Sequence, residues 1–186
     1  MQRRKFLATG SVLPFIGLLQ NDKTLNDNQE AFVVKNGKAR HNRHMPFNGV
    51  NPNDIKVSRH DSQNGFSLFE YYGVEKIGPS LHIHFEQDEV FFVTEGKYKF
   101  RVGDDYHLLT QGDCIFLPRK IPHTWIQLSD TGKLIYMVSP AGTFEDFFEE
   151  FKGFTSQPPQ SEIDRIHKKH HMKVVGPPMK LEDHKE

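Results

Sequence analysis

The chain has 186 residues, with 24 basic and 24 acidic side chains, 16 phenylalanines, one tryptophan and one cysteine. That length is enough for one well-buried domain with tails. Balanced charge removes the electrostatic case for nucleic acid or an anionic membrane surface, and the lone cysteine, Cys114, excludes an intrachain disulfide framework.

Met1-Gln2-Arg3-Arg4-Lys5-Phe6-Leu7 precedes an apolar run that ends at Leu19. The run is short and interrupted by Gly10, Pro14 and Gly17, so it reads as a cleavable signal rather than a bilayer span. It resembles a twin-arginine export signal; the alternative is a frayed amphipathic N-terminus. Residues 1–19 are therefore expected to direct the chain to the periplasm, or otherwise outside the cytoplasm of a bacterium. No membrane span would remain after signal removal. Residues 20–30 are polar and read as a linker.

The domain is expected over residues 31–154. Phe32-Val33-Val34 before Asn36-Gly37 predicts a strand entering a tight turn, and His41 to His44 a solvated loop. Ile55 to Ser58 and Phe66 to Tyr72 predict two strands around the Asn64-Gly65 turn. Lys97 to Val102 alternates strictly, with Tyr98, Phe100 and Val102 on one face and three cations on the other, the mark of a half-exposed antiparallel strand. Cys114 lies in Asp113-Cys114-Ile115-Phe116-Leu117, which predicts a buried strand, with Cys114 a small hydrophobe rather than a nucleophile. Thr124 to Leu128 and Leu134 to Val138 supply two more strands. Short strands with regular turn signals predict an all-β barrel or sandwich.

After Pro140 the period changes. Thr143 can cap a helix in which Phe144, Phe147, Phe148 and Phe151 share one face. That stripe is expected to pack on the outside of the barrel; closing over its mouth is the alternative. Pro158-Pro159 marks a linker into a helical or extended tail, residues 155–186, with Ser161 capping a short helix to about His171. His167, His170 and His171, at helical spacing beside Lys168, Lys169 and Lys173, read as a solvated face rather than a second metal site. The chain shows no Gly-rich phosphate loop, no Ser nucleophile elbow and no internal repeat.

The chemistry concentrates between His82 and His123. Side chains two apart on a strand share a face about 6.8 Å apart, so His82 and His84 can aim two imidazoles at one point while Leu81, Ile83 and Phe85 face away. Glu89 has the wrong parity for an unbroken strand and requires a bend or bulge at Glu86-Gln87-Asp88. Glu86 and Asp88 compete with it, Glu86 having the better parity with His84. His123 would complete a set of three imidazoles and a carboxylate, ligands that suit Fe, Mn, Co, Ni, Cu or Zn with positions left open.

Gly78 to Gln127 resembles the two cupin motifs: H-x-H, four residues, Glu, six residues, Gly; then Gly, five residues, Pro, and a His five residues later. His82, His84, Glu89 and Gly96 match the first, and Gly112, Pro118 and His123 the second. Lys120 stands where Gly is usual and Gln127 where Asn is common. The runs Asp88 to Val93 and Val138 to Phe148 are similar to single-domain quercetin 2,3-dioxygenase-like cupins, over roughly Phe32 to Met179. The resemblance implies a cupin-type antiparallel barrel (a double-stranded β-helix, or jelly roll) with C-terminal helical additions. It implies one divalent metal on His82, His84, Glu89 and His123, with Glu89 preferred over its neighbours by its spacing to Gly96. It also implies a dioxygenase acting with O2 on an aromatic enol or flavonol-like compound, in which Glu89 helps to remove a proton. A homodimer is expected, since many cupins pair through their sheets. The alternatives are a sugar isomerase or epimerase using the metal without O2, and a non-enzymatic metal- or small-ligand-binding cupin.

Overall fold

Among the described residues, ten strands and two α-helices follow one another: β1 (Asn53–Val57), β2 (Ser67–Gly73), β3 (Ser80–His84), β4 (Asp88–Glu95), β5 (Lys97–Val102), β6 (Asp105–Thr110), β7 (Cys114–Leu117), β8 (His123–Gln127), β9 (Gly132–Ser139), α1 (Phe144–Phe151), α2 (Gln160–Lys169) and β10 (Met172–Pro178). This computed structural model describes residues 30–154 and 158–184. The export signal expected over 1–19 lies outside the described residues, as does nearly all of the 20–30 linker. Phe32–Glu186 cluster as one compact unit. No helix among the described residues is long and apolar enough to cross a membrane.

The strands form two antiparallel five-stranded sheets, ordered β1-β2-β9-β4-β7 and β10-β3-β8-β5-β6. Period-2 alternation decides which faces turn inward. Phe69 and Tyr71 on β2, and Leu134, Tyr136 and Val138 on β9, are buried on one side of an unbroken register from Ser67↔Val138 to Gly73↔Gly132. On β4, Glu89, Phe91 and Val93 point the same way. Tyr98 and Phe100 do so from the opposite sheet, as their alternation with Lys97, Lys99 and Arg101 predicts. The interior is largely aromatic: Tyr136 is stacked between Phe69 and Phe91, with ring centroids 4.9 Å away on each side.

The β4–β5 turn needs Gly96. It sits at φ +86°, and a Cβ there would meet Thr131 O at 2.7 Å. Gln127, in the position where Asn is common, is fully buried and its Nε2 donates to Gly73 O and Ser129 O. The longer side chain thus ties β8 to the end of β2.

Several expectations are corrected. Phe32 to Val34 form no strand, although the turn at Asn36-Gly37 is present; Phe32 instead covers Arg40, whose Cζ lies 3.7 Å from the ring centroid. Cys114 is exposed, because β7 is an edge strand whose inner face carries Leu117. The tail beyond residue 154 completes the barrel: β10 pairs with β3, with Met172 opposite His84 and Val174 opposite His82. Helix α2 starts at Gln160, so Ser161 is inside it rather than capping it. Thr143 precedes α1 but makes no capping bond; its Oγ1 lies 2.8 Å from His170 Nδ1.

Helix α1 is anchored by Glu145, whose side chain is fully buried. It accepts from Arg43 Nη1 (2.6 Å), Ser58 Oγ (3.1 Å) and Ser67 Oγ (2.7 Å). A buried carboxylate is tolerated only with this kind of satisfaction. The anchor sets the face that α1 presents: the phenylalanine stripe lines the central cavity, and Phe144 lies 5.4 Å from the His84 ring. The expected packing of that stripe on the outside of the barrel is overturned, since its rings line the cavity instead.

Candidate metal centre

His82 and His84 share the inner face of β3, and the register places His123 of β8 directly opposite His82. The three ring centroids are 4.6–5.4 Å apart. Glu89 enters from the other sheet. The break that the parity of Glu89 requires is present: β3 ends at His84, the chain bends at Phe85 and Glu86, and β4 begins a new alternation at Asp88. Glu89 Oε2 lies 3.1 Å from His123 Nε2, and Oε1 4.0 Å from His84 Nε2. One ligand atom from each of His82, His84, Glu89 and His123 lies within 4.8 Å of every other.

The competing carboxylates are engaged elsewhere. Glu86 is turned toward solvent, 3.2 Å from His171 Nδ1. Asp88 accepts from the Arg119 guanidinium at 2.6 Å. Glu89 is 3% exposed and is the carboxylate that joins the imidazoles.

Each imidazole is oriented through its other nitrogen. His82 Nδ1–H donates to Ser80 O at 2.8 Å and His123 Nδ1–H to Ile121 O at 2.9 Å. His84 Nδ1–H donates to Gln87 Oε1 at 3.3 Å, and Gln87 Nε2 in turn donates to Ala141 O at 2.8 Å. With each Nδ1 a donor, all three Nε2 atoms carry lone pairs, the arrangement in which acceptors behind a ring prepare it as a ligand. His82 Nε2 and His84 Nε2 face each other at 3.1 Å. His123 Nε2 is buried with no hydrogen-bond partner despite the nearby Glu89 oxygen. Four electron-rich groups converging in a buried space repel one another unless a cation lies among them, so the donor set fits a divalent metal ion.

Electrostatics agree. Burial pushes His82 well below its ordinary range, with His123 and His84 pushing the same way. Burial also lowers His84, against the opposing pull of Glu89. Burial alone would raise Glu89, but His84 and His123 outweigh it and hold the carboxyl below its usual range. Neutral imidazoles and an ionised carboxylate are the forms that bind a metal.

The cluster opens into a cavity of about 800 Å³. His82 and Glu89 lie at its wall, with Phe91, Trp125 and Tyr136 from the sheets and Phe144, Phe147 and Phe151 from α1. His167 of α2 also lines it, its Nδ1–H donating to Ile163 O at 2.7 Å, and burial keeps the ring below its ordinary range. His170 is buried, with its ring nitrogens against Thr143 Oγ1 and Glu150 Oε1, each at 2.8 Å. Of the three histidines expected on a solvated face, only His171 is exposed.

Asn53 was not singled out from the sequence, although it lines the same cavity. The available signal is its i, i+2 relation to Ile55, which puts a polar amide on an inward face.

Two packed antiparallel sheets enclosing three imidazoles and a carboxylate define a barrel with an internal cluster able to hold a metal ion. Residues 69–139 match the family described as "Cupin domain". The fold is also that of KdgF from a Halomonas species, with 14% identity over 60% of this chain and 94% of that one at a TM-score of 0.50. It is likewise that of an RmlC-like cupin from Shewanella frigidimarina, with 21% identity over 60% and 92% of the two chains at a TM-score of 0.50. No curated protein matches the sequence. Residues 69–139 thus carry a cupin domain, and the fold is the cupin fold.

Proposed function

We propose that the protein is a metal-dependent dioxygenase that cleaves an aromatic enol or flavonol-like compound. The observation that carries this reading is the aromatic cavity joined to the ligand set: rings from both sheets and from α1 surround the space that Glu89 and His82 face. Planar aromatic ligands gain from such walls through area burial and stacking. The predominance of rings over polar groups in that wall counts against the polyol of the isomerase or epimerase reading.

His82, His84, Glu89 and His123 would hold the metal. Once bound, the ion supplies Lewis acidity toward a substrate hydroxyl and, if redox-active, a route for electrons to O2. The protein's own part is positioning and proton transfer. Glu89, ionised at neutral pH, takes the proton of the substrate hydroxyl. The α1 phenylalanines hold the ring and exclude water. A dioxygenase places both oxygen atoms in the product and requires no external reductant.

The test is metal analysis of the purified protein followed by oxygen uptake with the flavonol quercetin. We expect about one transition metal per chain and uptake that requires it. Bound metal without uptake across a panel of flavonols and related aromatic enols would refute the dioxygenase reading and leave the non-oxidative or purely binding cupin.

The proposal extends to location and assembly. The paired Arg3 and Arg4 support twin-arginine export, so Arg3→Lys with Arg4→Lys should retain the folded protein in the cytoplasm; unchanged periplasmic yield refutes it. Exposed Phe92 and Phe116 on neighbouring strands support a homodimer through an outer sheet face. Light scattering at micromolar concentration checks this, and a monomer would refute it.

A further inference from the structure

The loop before β1 and the start of β1 carry two buried asparagines with opposite fates. Asn51 is satisfied: its Nδ2 donates to Tyr71 Oη at 2.6 Å and to Glu75 O at 3.1 Å, while its Oδ1 accepts from the Val74 and Glu75 amides. Asn53 is 1% exposed; its Oδ1 accepts from Tyr136 Oη at 3.0 Å, and its Nδ2 has no partner. A buried amide N–H2 left unpaired costs on the order of 1–3 kcal/mol, so such a group in a cavity wall calls for a ligand.

The hydroxyl that meets that amide is held in place. Tyr136 is stacked between Phe69 and Phe91, with interplanar angles of 10° and 11°. Its ring cannot swing without displacing both neighbours, and its hydroxyl stays protonated because burial pushes it well above its ordinary range. With Tyr136 Oη donating to Oδ1, Nδ2 is the amide atom left buried without a hydrogen-bond partner. Asn53 and Tyr136 line the same cavity as His82 and Glu89.

We propose that Asn53 is the specificity residue of this cavity, its Nδ2–H donating to an acceptor oxygen on the ligand distinct from the hydroxyl at the metal end. The ligand class is then a planar aromatic with an ionisable hydroxyl at one end and a carbonyl-type oxygen at the other. The aromatic walls supply affinity, and the Asn53 amide supplies direction. This deepens the aromatic-substrate reading and rests on it, but it concerns binding rather than turnover.

The experiment compares 4′-hydroxyacetophenone with 4-ethylphenol, two phenols of similar shape of which only the first carries a carbonyl oxygen. Both are titrated calorimetrically into wild type, Asn53→Leu and Asn53→Asp, each checked for fold and metal content. Wild type should favour the ketone, and Asn53→Leu should cut that preference about tenfold, the worth of one buried hydrogen bond with its desolvation. Taking the change in preference between proteins cancels any difference in hydroxyl acidity between the probes. Asn53→Asp can still accept from Tyr136 but presents no N–H, so it should disfavour the ketone. A preference that survives both substitutions, equal binding of the probes by wild type, or binding of neither would overturn the assignment. Failure of the dioxygenase reading shows separately, as absent oxygen uptake beside an intact ketone preference.

Discussion

Gln87 offers a test of how the site is held rather than of what it binds. It is 3% exposed and links His84 Nδ1 to Ala141 O. Gln87→Leu keeps the approximate volume but removes both partners at once. Acceptors behind a ligating imidazole are worth about 10–100-fold in metal affinity. The 3.3 Å bond to His84 is at the long end for N–H···O, so the expected loss is nearer tenfold, about 1.4 kcal/mol. Two buried groups are also stranded, at about 1–3 kcal/mol each, so the metal-free protein should unfold at a lower temperature. Chelator competition measures the first effect and thermal melts of metal-free protein the second. Unchanged metal affinity in a folded Gln87→Leu protein would show that Gln87 does not set the His84 ring, and the account of its tautomer given above would be wrong.

Other consequences are as direct. Glu89→Gln keeps shape and an acceptor oxygen but loses its charge and proton affinity; the three imidazoles should retain a substantial part of the metal while turnover falls on the order of 100-fold or more. Wild-type metal content with wild-type turnover would remove Glu89 from both roles. Lys120 sits at φ +68°, where a side chain is strained, and its amide donates to His84 O. Lys120→Gly should therefore stabilise by about 1 kcal/mol, raising the melting temperature by about 2–4 °C, with the metal retained; a lower melting temperature would contradict this. Glu150 ties α1 to Lys169, His170 and Arg165 of the α2 segment, and hydrogen bonds from Lys169 first and His170 next hold its carboxyl down at about 2, against the ordinary 4.5. A depressed carboxyl contributes stability above its unfolded value and loses it as pH falls through the folded one. The α1–α2 contact should loosen between about pH 4.5 and about pH 2, followed by hydrogen exchange of the α2 amides, and a Glu150→Gln protein should lack that phase.

The cluster of His82, His84, Glu89 and His123 was legible because its information is local. Residues two apart on β3 share a face, and the Gly96 and Gly112 turns fix where the next strands begin. Within the window, though, spacing left Glu86, Asp88 and Glu89 in competition. That was decided by Arg119 drawing Asp88 outward and by β3 ending at His84, so that β4 restarts the alternation. The paired phenylalanines of α1 show the same limit. Periodicity says they share a face, yet which face turns inward depends on Glu145 being held by Arg43, Ser58 and Ser67, about 80 to 100 residues away in sequence.

Alternation by itself determined the β character, the strands near Tyr98 and Tyr136, and the inward pair His82 and His84, because period-2 facing is a property of backbone geometry alone. Only tertiary pairing decided that Met172–Pro178 completes a sheet, that Cys114 lies on an exposed edge, that His167 and His170 turn inward, and that Asn53 meets Tyr136. Each of these depends on which strand or helix arrives alongside. A sequence pattern records that a residue has an inner and an outer face, while the partner that makes one of them inner comes from elsewhere in the chain.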